Sequence, residues 1–216
     1  MKLCVYDHCP YCVKARMIFG LKHVDFDLEF LLNDDEKTPI QMVGKKMVPI
    51  LELDNKKCMP ESMDIVHFID TKFGQNRIVN PTTSGRIIDW IDETGYDIYK
   101  LAMPRWIQVD LPEFRTRGAI QYFIKKKEKF LGSFEENFNN SEQYIKILND
   151  KLVELESFIF CENSAEKKLS ETDFHLFASL RSLSIVRGIT FPNFVYQYML
   201  NMSKMSKVPL HTELAV

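Results

Sequence analysis

Cys9-Pro10-Tyr11-Cys12 constrains this 216-residue chain more than any other feature. The apolar run Leu3-Cys4-Val5-Tyr6 precedes it, and a helix-like stretch from Tyr11 to Leu21 follows, ending near Gly20. The pair therefore falls where a strand gives way to a helix. Two thiols separated by two residues can close a small disulfide ring and reopen it. A Cys at a helix N-terminus lies beside unpaired N–H groups and the positive end of the helix dipole. Both favour the thiolate, which is the nucleophile of disulfide exchange. Pro10 suits the first turn, because its missing N–H would have had no partner there.

The same spacing is also found in zinc sites and structural disulfides. Structural zinc takes four Cys or His ligands, commonly as a second close pair. Here Cys4, Cys58 and Cys161 are isolated, and His8, His23, His67, His175 and His211 form no second cluster. No metal is expected. Five cysteines, an odd number, do not make a secretory disulfide framework, and no signal-like apolar stretch opens the chain. A reducing, cytoplasmic compartment is expected, where a disulfide is transient and catalytic rather than structural. The 28 basic and 30 acidic residues nearly balance. That argues against nucleic acid and anionic membranes as partners, and no apolar run approaches the length of a membrane span. The basic cluster from Lys125 to Lys129 reads as a solvated helix face.

The first part of the chain alternates strand and helix. Strands are predicted at 2–6, 25–31, 49–53 and around 58–59, the last two as a hairpin, with helices at 11–21, about 39–43 and 63–73. The order β-α-β-α-β-β-α closes a four-stranded mixed sheet with helices on its faces. After a linker the texture becomes helical, with stretches at about 86–103, 113–131, 141–160, 171–187 and 193–204. The clearest is the apolar stripe Ile145, Leu148, Leu152, Leu155, Ile159. Ser170-x-x-Asp173 reads as a capping box, and His175 as a packing residue. The expected organisation is an α/β domain over 1–75, a linker over 76–85 and an all-helical domain over 86–216.

Several motifs together resemble a known family. Cys9-Pro10-Tyr11-Cys12 at the end of the first strand resembles the glutaredoxin active site, and Val48-Pro49 looks like its cis-proline. Glu61-Ser62, opening the third helix, resembles the glutathione-recognition pair of glutathione transferases. The helical second half, with Ser170-x-x-Asp173, is similar to the second domain of that superfamily. Across the whole chain these resemble the two-domain bacterial glutaredoxin 2 family. Asp7-His8, Leu32-Asn33-Asp34-Asp35 and the stretch from Met59 to His67 add to the match.

The resemblance implies a thioredoxin-like domain followed by an α-helical one, as in glutathione transferases. It implies glutathione-dependent reduction of protein disulfides and of glutathione mixed disulfides, with Cys9 attacking and Cys12 resolving. Glutathione is then the reducing co-substrate, with no permanently bound cofactor, and the partners are disulfide-containing or glutathionylated proteins acted on by a monomer. The implied glutathione site comprises Tyr11, Val48, Pro49, Glu61 and Ser62. A cis bond would turn the backbone of Val48 toward the thiols, ready to pair with an extended peptide. The helix start at Ser62 would hold the γ-glutamyl carboxylate, and the same pair also reads as an N-cap. Small glutaredoxins often carry a basic residue upstream of the first Cys. Here Asp7-His8 stands there, so the helix terminus is expected to carry the thiolate, with Lys14 and Arg16 facing away. A glutathione transferase that conjugates electrophiles, and a non-catalytic module on the same scaffold, are the alternatives. Neither has a use for Cys12.

Overall fold

The computed structural model describes residues 1–74, 76–162 and 169–216. Its first half runs β1 (Lys2–Val5), α1 (Pro10–Leu21), β2 (Asp27–Phe30), α2 (Lys37–Val43), β3 (Ile50–Glu52), β4 (Cys58–Pro60) and α3 (Ser62–Lys72). The sheet order is β2-β1-β3-β4, with β1 parallel to β2 and antiparallel to β3, and β3 antiparallel to β4. This is the mixed sheet expected from the sequence. Helix α1 ends at Leu21, one residue past Gly20, as the sequence predicts. A Cβ on Gly20 would stand 1.8 Å from the Ser206 carbonyl oxygen, so the glycine permits close approach of another helix.

The second half is helical: α4 (Gly85–Trp106), α5 (Arg117–Leu131), α6 (Phe134–Asn139), α7 (Ser141–Glu162), α8 (Glu171–Leu183) and α9 (Asn193–Ser206). Three departures from the predicted elements have local causes. Helix α4 runs through Pro104 instead of stopping before it; the Arg105 guanidinium donates to the Leu101 carbonyl beside the bond the proline cannot make. The stretch expected to begin at 113 first makes a 3₁₀ turn, Pro112–Phe114, and α5 starts only where Thr116 accepts from the Ala119 N–H. Helix α8 stops at Leu183, where the Ser184 hydroxyl donates to the Arg181 carbonyl. Helix α6 was not predicted, because six residues carry too little periodicity to register.

Leu148, Leu152, Leu155 and Ile159 are buried among Trp90, Trp106 and Phe123, which makes the stripe of α7 the core of the helical half. The Ser170–Asp173 capping box is present. A second core crosses between the halves: Val13, Met17, Phe19, Ile65 and Ile69 pack with Phe174, Phe177, Met202 and Val208. The connecting segment is pinned as well. The Asp70 carboxylate accepts from the N–H groups of Ile78 and Val79, and Asn80 forms a parallel bridge with Ser170. The active-site helix α1 therefore lies in the seam, packed on α3 at one side and on α8 and α9 at the other.

Candidate functional site

Cys9 is the N-cap residue of α1, and Pro10 is its first helical residue. Cys9 is half-buried and Cys12 is fully buried; both are free thiols. The neighbouring Cys12 thiol and the N–H groups of Cys12 and Tyr11 favour the charged form of the Cys9 sulfur. With the nearby His8 charge, these outweigh burial and bring the Cys9 thiol down to about 6. Cys12 is pushed the other way, by burial first and then by the Cys9 sulfur, although the Tyr6 N–H donates to its sulfur at 3.4 Å. At neutral pH the pair is one thiolate and one thiol, with the charge on the more accessible sulfur. The other described cysteines are poor nucleophiles. Burial pushes Cys4 up to about 11, and burial also raises Cys58. The side chain of Cys161 lies outside the described residues.

Cys9 and Val48 share a cavity of about 420 Å³ with His8, Lys46, Tyr122 and Lys126. The Val48–Pro49 peptide bond is cis. Tyr11 lies elsewhere: it is 56 % exposed and lines a second cavity of about 260 Å³ with Lys14, Tyr99 and His175. Glu61 and Ser62 line neither cavity. The β3–β4 register pairs Ile50 with Pro60, so continuing it by one residue sets Glu61 across from Pro49. Glu61 occupies the N-cap position of α3 at φ 67°, ψ 120° and makes no side-chain cap. A side chain rarely adopts that backbone conformation, and such outliers concentrate at functional sites. Ser62 is the first helical residue, so the N-cap reading of this pair does not hold. Its side chain is buried and makes no hydrogen bond within the described residues.

The charges around the thiols differ from expectation. Lys125, Lys126 and Lys129 are exposed, as a solvated face requires, but Lys126 and the partly buried Lys127 also line the Cys9 cavity. These two follow Tyr122 and Phe123 by one turn of α5, so their stems run along the rings, with Lys126 Nζ 5.2 Å from the Tyr122 ring centre. Lys14 and Arg16 do not face solvent; both are buried. Arg16 donates to Asp7 at 2.5 Å, Arg181 Nη2 does so at 3.0 Å, and His211 Nε2 lies 2.7 Å from Asp7. Burial alone would raise Asp7, but the hydrogen bond from His211 and the two guanidinium charges hold it far below the usual carboxylate range. Its negative charge is more than offset by the two guanidiniums beside it. Lys14 Nζ lies 3.4 Å from His175 Nδ1, and burial brings His175 down to about 4. His175 is therefore a neutral cavity wall, not simply a packing residue.

Glu113, in the 3₁₀ turn of the helical half, is the main residue that sequence reasoning missed. It is fully buried and accepts from both the backbone N–H of His8 (2.9 Å) and His8 Nδ1 (2.5 Å). Four aromatic rings, those of Tyr6, Trp106, Phe114 and Phe123, surround the imidazole. A lone acid between Pro112 and Phe114 carries no periodic signal. Arg181 did carry one, as a cation on the otherwise apolar stripe of α8. Among the described residues, no group of three His, Cys, Asp or Glu side chains is placed to hold a metal ion. No helix among them is long and apolar enough to cross a membrane.

The sheet, the dithiol at the start of α1 and the helical half define the two-domain glutathione transferase architecture. Residues 3–77 match the glutathione S-transferase N-terminal domain. The glutathione transferase GSTFuA3 of Phanerochaete chrysosporium has the same fold at a TM-score of 0.69 and 14 % identity, over 94 % of this chain and 96 % of that one. Within that architecture the chain belongs to the glutaredoxin 2 family. Residues 86–215 match the glutaredoxin 2 C-terminal domain. Glutaredoxin 2 of Escherichia coli K12 is 43 % identical over all 216 residues, covering both chains completely. Glutaredoxin 2 of Salmonella typhimurium, solved in complex with glutathione, superposes at a TM-score of 0.94 with 43 % identity, over 100 % of this chain and 98 % of that one.

Proposed function

We propose that this chain is a glutathione-dependent thiol–disulfide oxidoreductase, a glutaredoxin. The observation that carries the reading is the asymmetry of the dithiol: a half-exposed Cys9 held as thiolate at the start of α1 and a buried Cys12 held as thiol. Exchange needs one sulfur that attacks and one that waits. Cys9 attacks a disulfide or a glutathione mixed disulfide. Cys12 resolves the mixed disulfide with a protein dithiol, and glutathione reduces the resulting Cys9–Cys12 bond.

Glutathione binding is supported by the complex formed by the Salmonella relative. In this chain Val48 and Pro49 would face the cysteinyl unit from the wall of the Cys9 cavity. The first turn of α3, with Ser62 and Glu61, would receive the γ-glutamyl group, a role consistent with the unbonded Ser62 hydroxyl. Tyr11 would border the substrate from the opposite side of α1. Glutathionylated and disulfide-containing proteins are the proposed substrates, acted on by a monomer in the cytoplasm. The division into 1–75, 76–85 and 86–216 belongs to the same proposal; the domain matches at 3–77 and 86–215 support it.

Two assays run side by side with glutathione test the reading: reduction of hydroxyethyl disulfide and conjugation of chlorodinitrobenzene. Strong reduction with weak conjugation is expected. Strong conjugation with no reduction would make the chain a transferase and leave Cys12 without a purpose.

A further inference from the structure

The residue that precedes the nucleophile is held by the other half of the molecule. Glu113 Oε1 accepts from both the main chain and the ring of His8, and Glu113 is fully buried. Its carboxyl, which burial alone would raise, is held below its ordinary range by the hydrogen bond and charge of His8. An ionised carboxylate can only accept, so the imidazole must donate through Nδ1. That fixes which ring nitrogen remains available. His8 Nε2 makes no hydrogen bond with the described residues, and His8 lines the Cys9 cavity. The aromatic rings around it prevent the imidazole from turning.

From this geometry we propose that His8 is a catalytic acid and base of thiol exchange, with Glu113 as the positioning residue that orients it. This rests on the oxidoreductase reading above. In the first half-reaction the Cys9 thiolate attacks the glutathione sulfur of a mixed disulfide, R–S–S–G. The Cys9–glutathione S–S bond forms, the S–S bond of R–S–S–G breaks, and the departing RS⁻ takes the proton on His8 Nε2 and leaves as RSH. In the second, a glutathione thiol gives its proton to Nε2 as its sulfur attacks the mixed disulfide. GSSG forms, and Cys9 departs as thiolate. The sum is R–S–S–G + GSH → RSH + GSSG, so one free glutathione is consumed, and the imidazole returns to its starting state. A carboxylate–imidazole–thiol arrangement follows the logic of hydrolytic triads, with the proton going to a leaving sulfur rather than to a leaving amine.

The surrounding charges are compatible with this role. Tyr6 stacks on His8, and Cys9 follows it in the chain and shares its cavity. Arg181 and His211 lie near Glu113 but direct their hydrogen bonds to Asp7, so they do not replace His8 as its partner. Lys46, Lys126 and Glu36 share the cavity without bonding to the imidazole.

Leaving-group dependence separates this role from a structural one. A thiol of low pKa departs without protonation, whereas an alkyl thiol is helped by it. The first half-reaction alone, followed as release of RSH in a single turnover of the reduced protein without free glutathione, should be assayed for wild type, His8→Gln and Glu113→Gln on two glutathione mixed disulfides, one with cysteamine and one with thionitrobenzoate. His8→Gln should lose about a hundredfold on the cysteamine substrate and Glu113→Gln about tenfold, with the thionitrobenzoate rates near wild type. Equal loss on both substrates, or no loss on the first, would overturn the proposal. The double variant His8→Phe/Glu113→Gln keeps the aromatic packing and removes the buried charge. If either single variant fails to fold, the same ratio is read from the double. A wild type inactive on both substrates would refute the oxidoreductase reading itself, an outcome distinct from either of these.

Discussion

Asp7 and His8 are neighbours in the chain, and each reaches across to the helical half, yet the two contacts differ. Asp7 is saturated. Arg16, Arg181 and His211 all bind its carboxylate, and Arg181 also donates to the Asp7 and Pro209 carbonyls. His8 is half-satisfied. One ring nitrogen is held by Glu113, the other is open, and Glu113 Oε2 is buried without a hydrogen bond. A buried polar group with every partner present stabilises a fold, whereas one left short is costly unless something else meets it. The comparison teaches that the first contact latches the two halves together and the second faces chemistry.

Breaking the latch should have the largest effect. Arg181→Met leaves Asp7 short of a buried partner and should cost about 3–5 kcal/mol. Urea unfolding should show a lower midpoint, and the surviving folded protein should keep its thiol reactivity. An unchanged midpoint would show that Asp7 does not hold the halves together.

The open side of the comparison can be sharpened at Ser62, whose hydroxyl makes no hydrogen bond within the described residues and is not sealed from solvent. If it receives the γ-glutamyl carboxylate, Ser62→Ala should cost about 1.5–3 kcal/mol, roughly a tenfold to hundredfold rise in KM for glutathione. The kcat should change little, because that contact is remote from the reacting sulfurs. Steady-state kinetics with varied glutathione decide this, and an unchanged KM would place glutathione elsewhere.

The smallest effect is a pH dependence of stability. Burial lowers both His211 and His175, the latter to about 4. Unfolded, each takes up a proton near pH 6.5, while folded it stays neutral. The unfolded state therefore binds more protons below about pH 6.5, so this contribution is whole above that pH and is lost as the pH falls toward 4. His175→Gln should flatten the slope of thermal stability across that window. A slope unchanged by the substitution would argue that His175 is not kept neutral.

Most of the fold was legible because its signals are local. The dithiol marks the turn from β1 into α1, and the stripe from Leu148 to Ile159 marks the buried face of α7. The site was legible only where its residues are adjacent in sequence. Cys9 and Cys12 announce themselves, and the resemblance pointed to Val48-Pro49 and Glu61-Ser62. Glu113 lies 105 positions from His8, and its role arises only when the 3₁₀ turn folds over the active-site strand end. Lys126 and Lys127 were visible as charges, but the side of α5 they occupy depends on how that helix packs. The same holds for Lys14 and Arg16, whose burial comes from α8 covering α1.

The central claim is that Cys9 is the thiolate and Cys12 its buried partner. Brief treatment of the reduced protein with iodoacetamide over a range of pH, followed by mass spectrometry of the peptides, tests it most directly. The account predicts carbamidomethylation at Cys9 with a rate midpoint near pH 6 and no early label at Cys12. Early labelling of Cys12, or a Cys9 midpoint in the ordinary thiol range near 8.5, would contradict it.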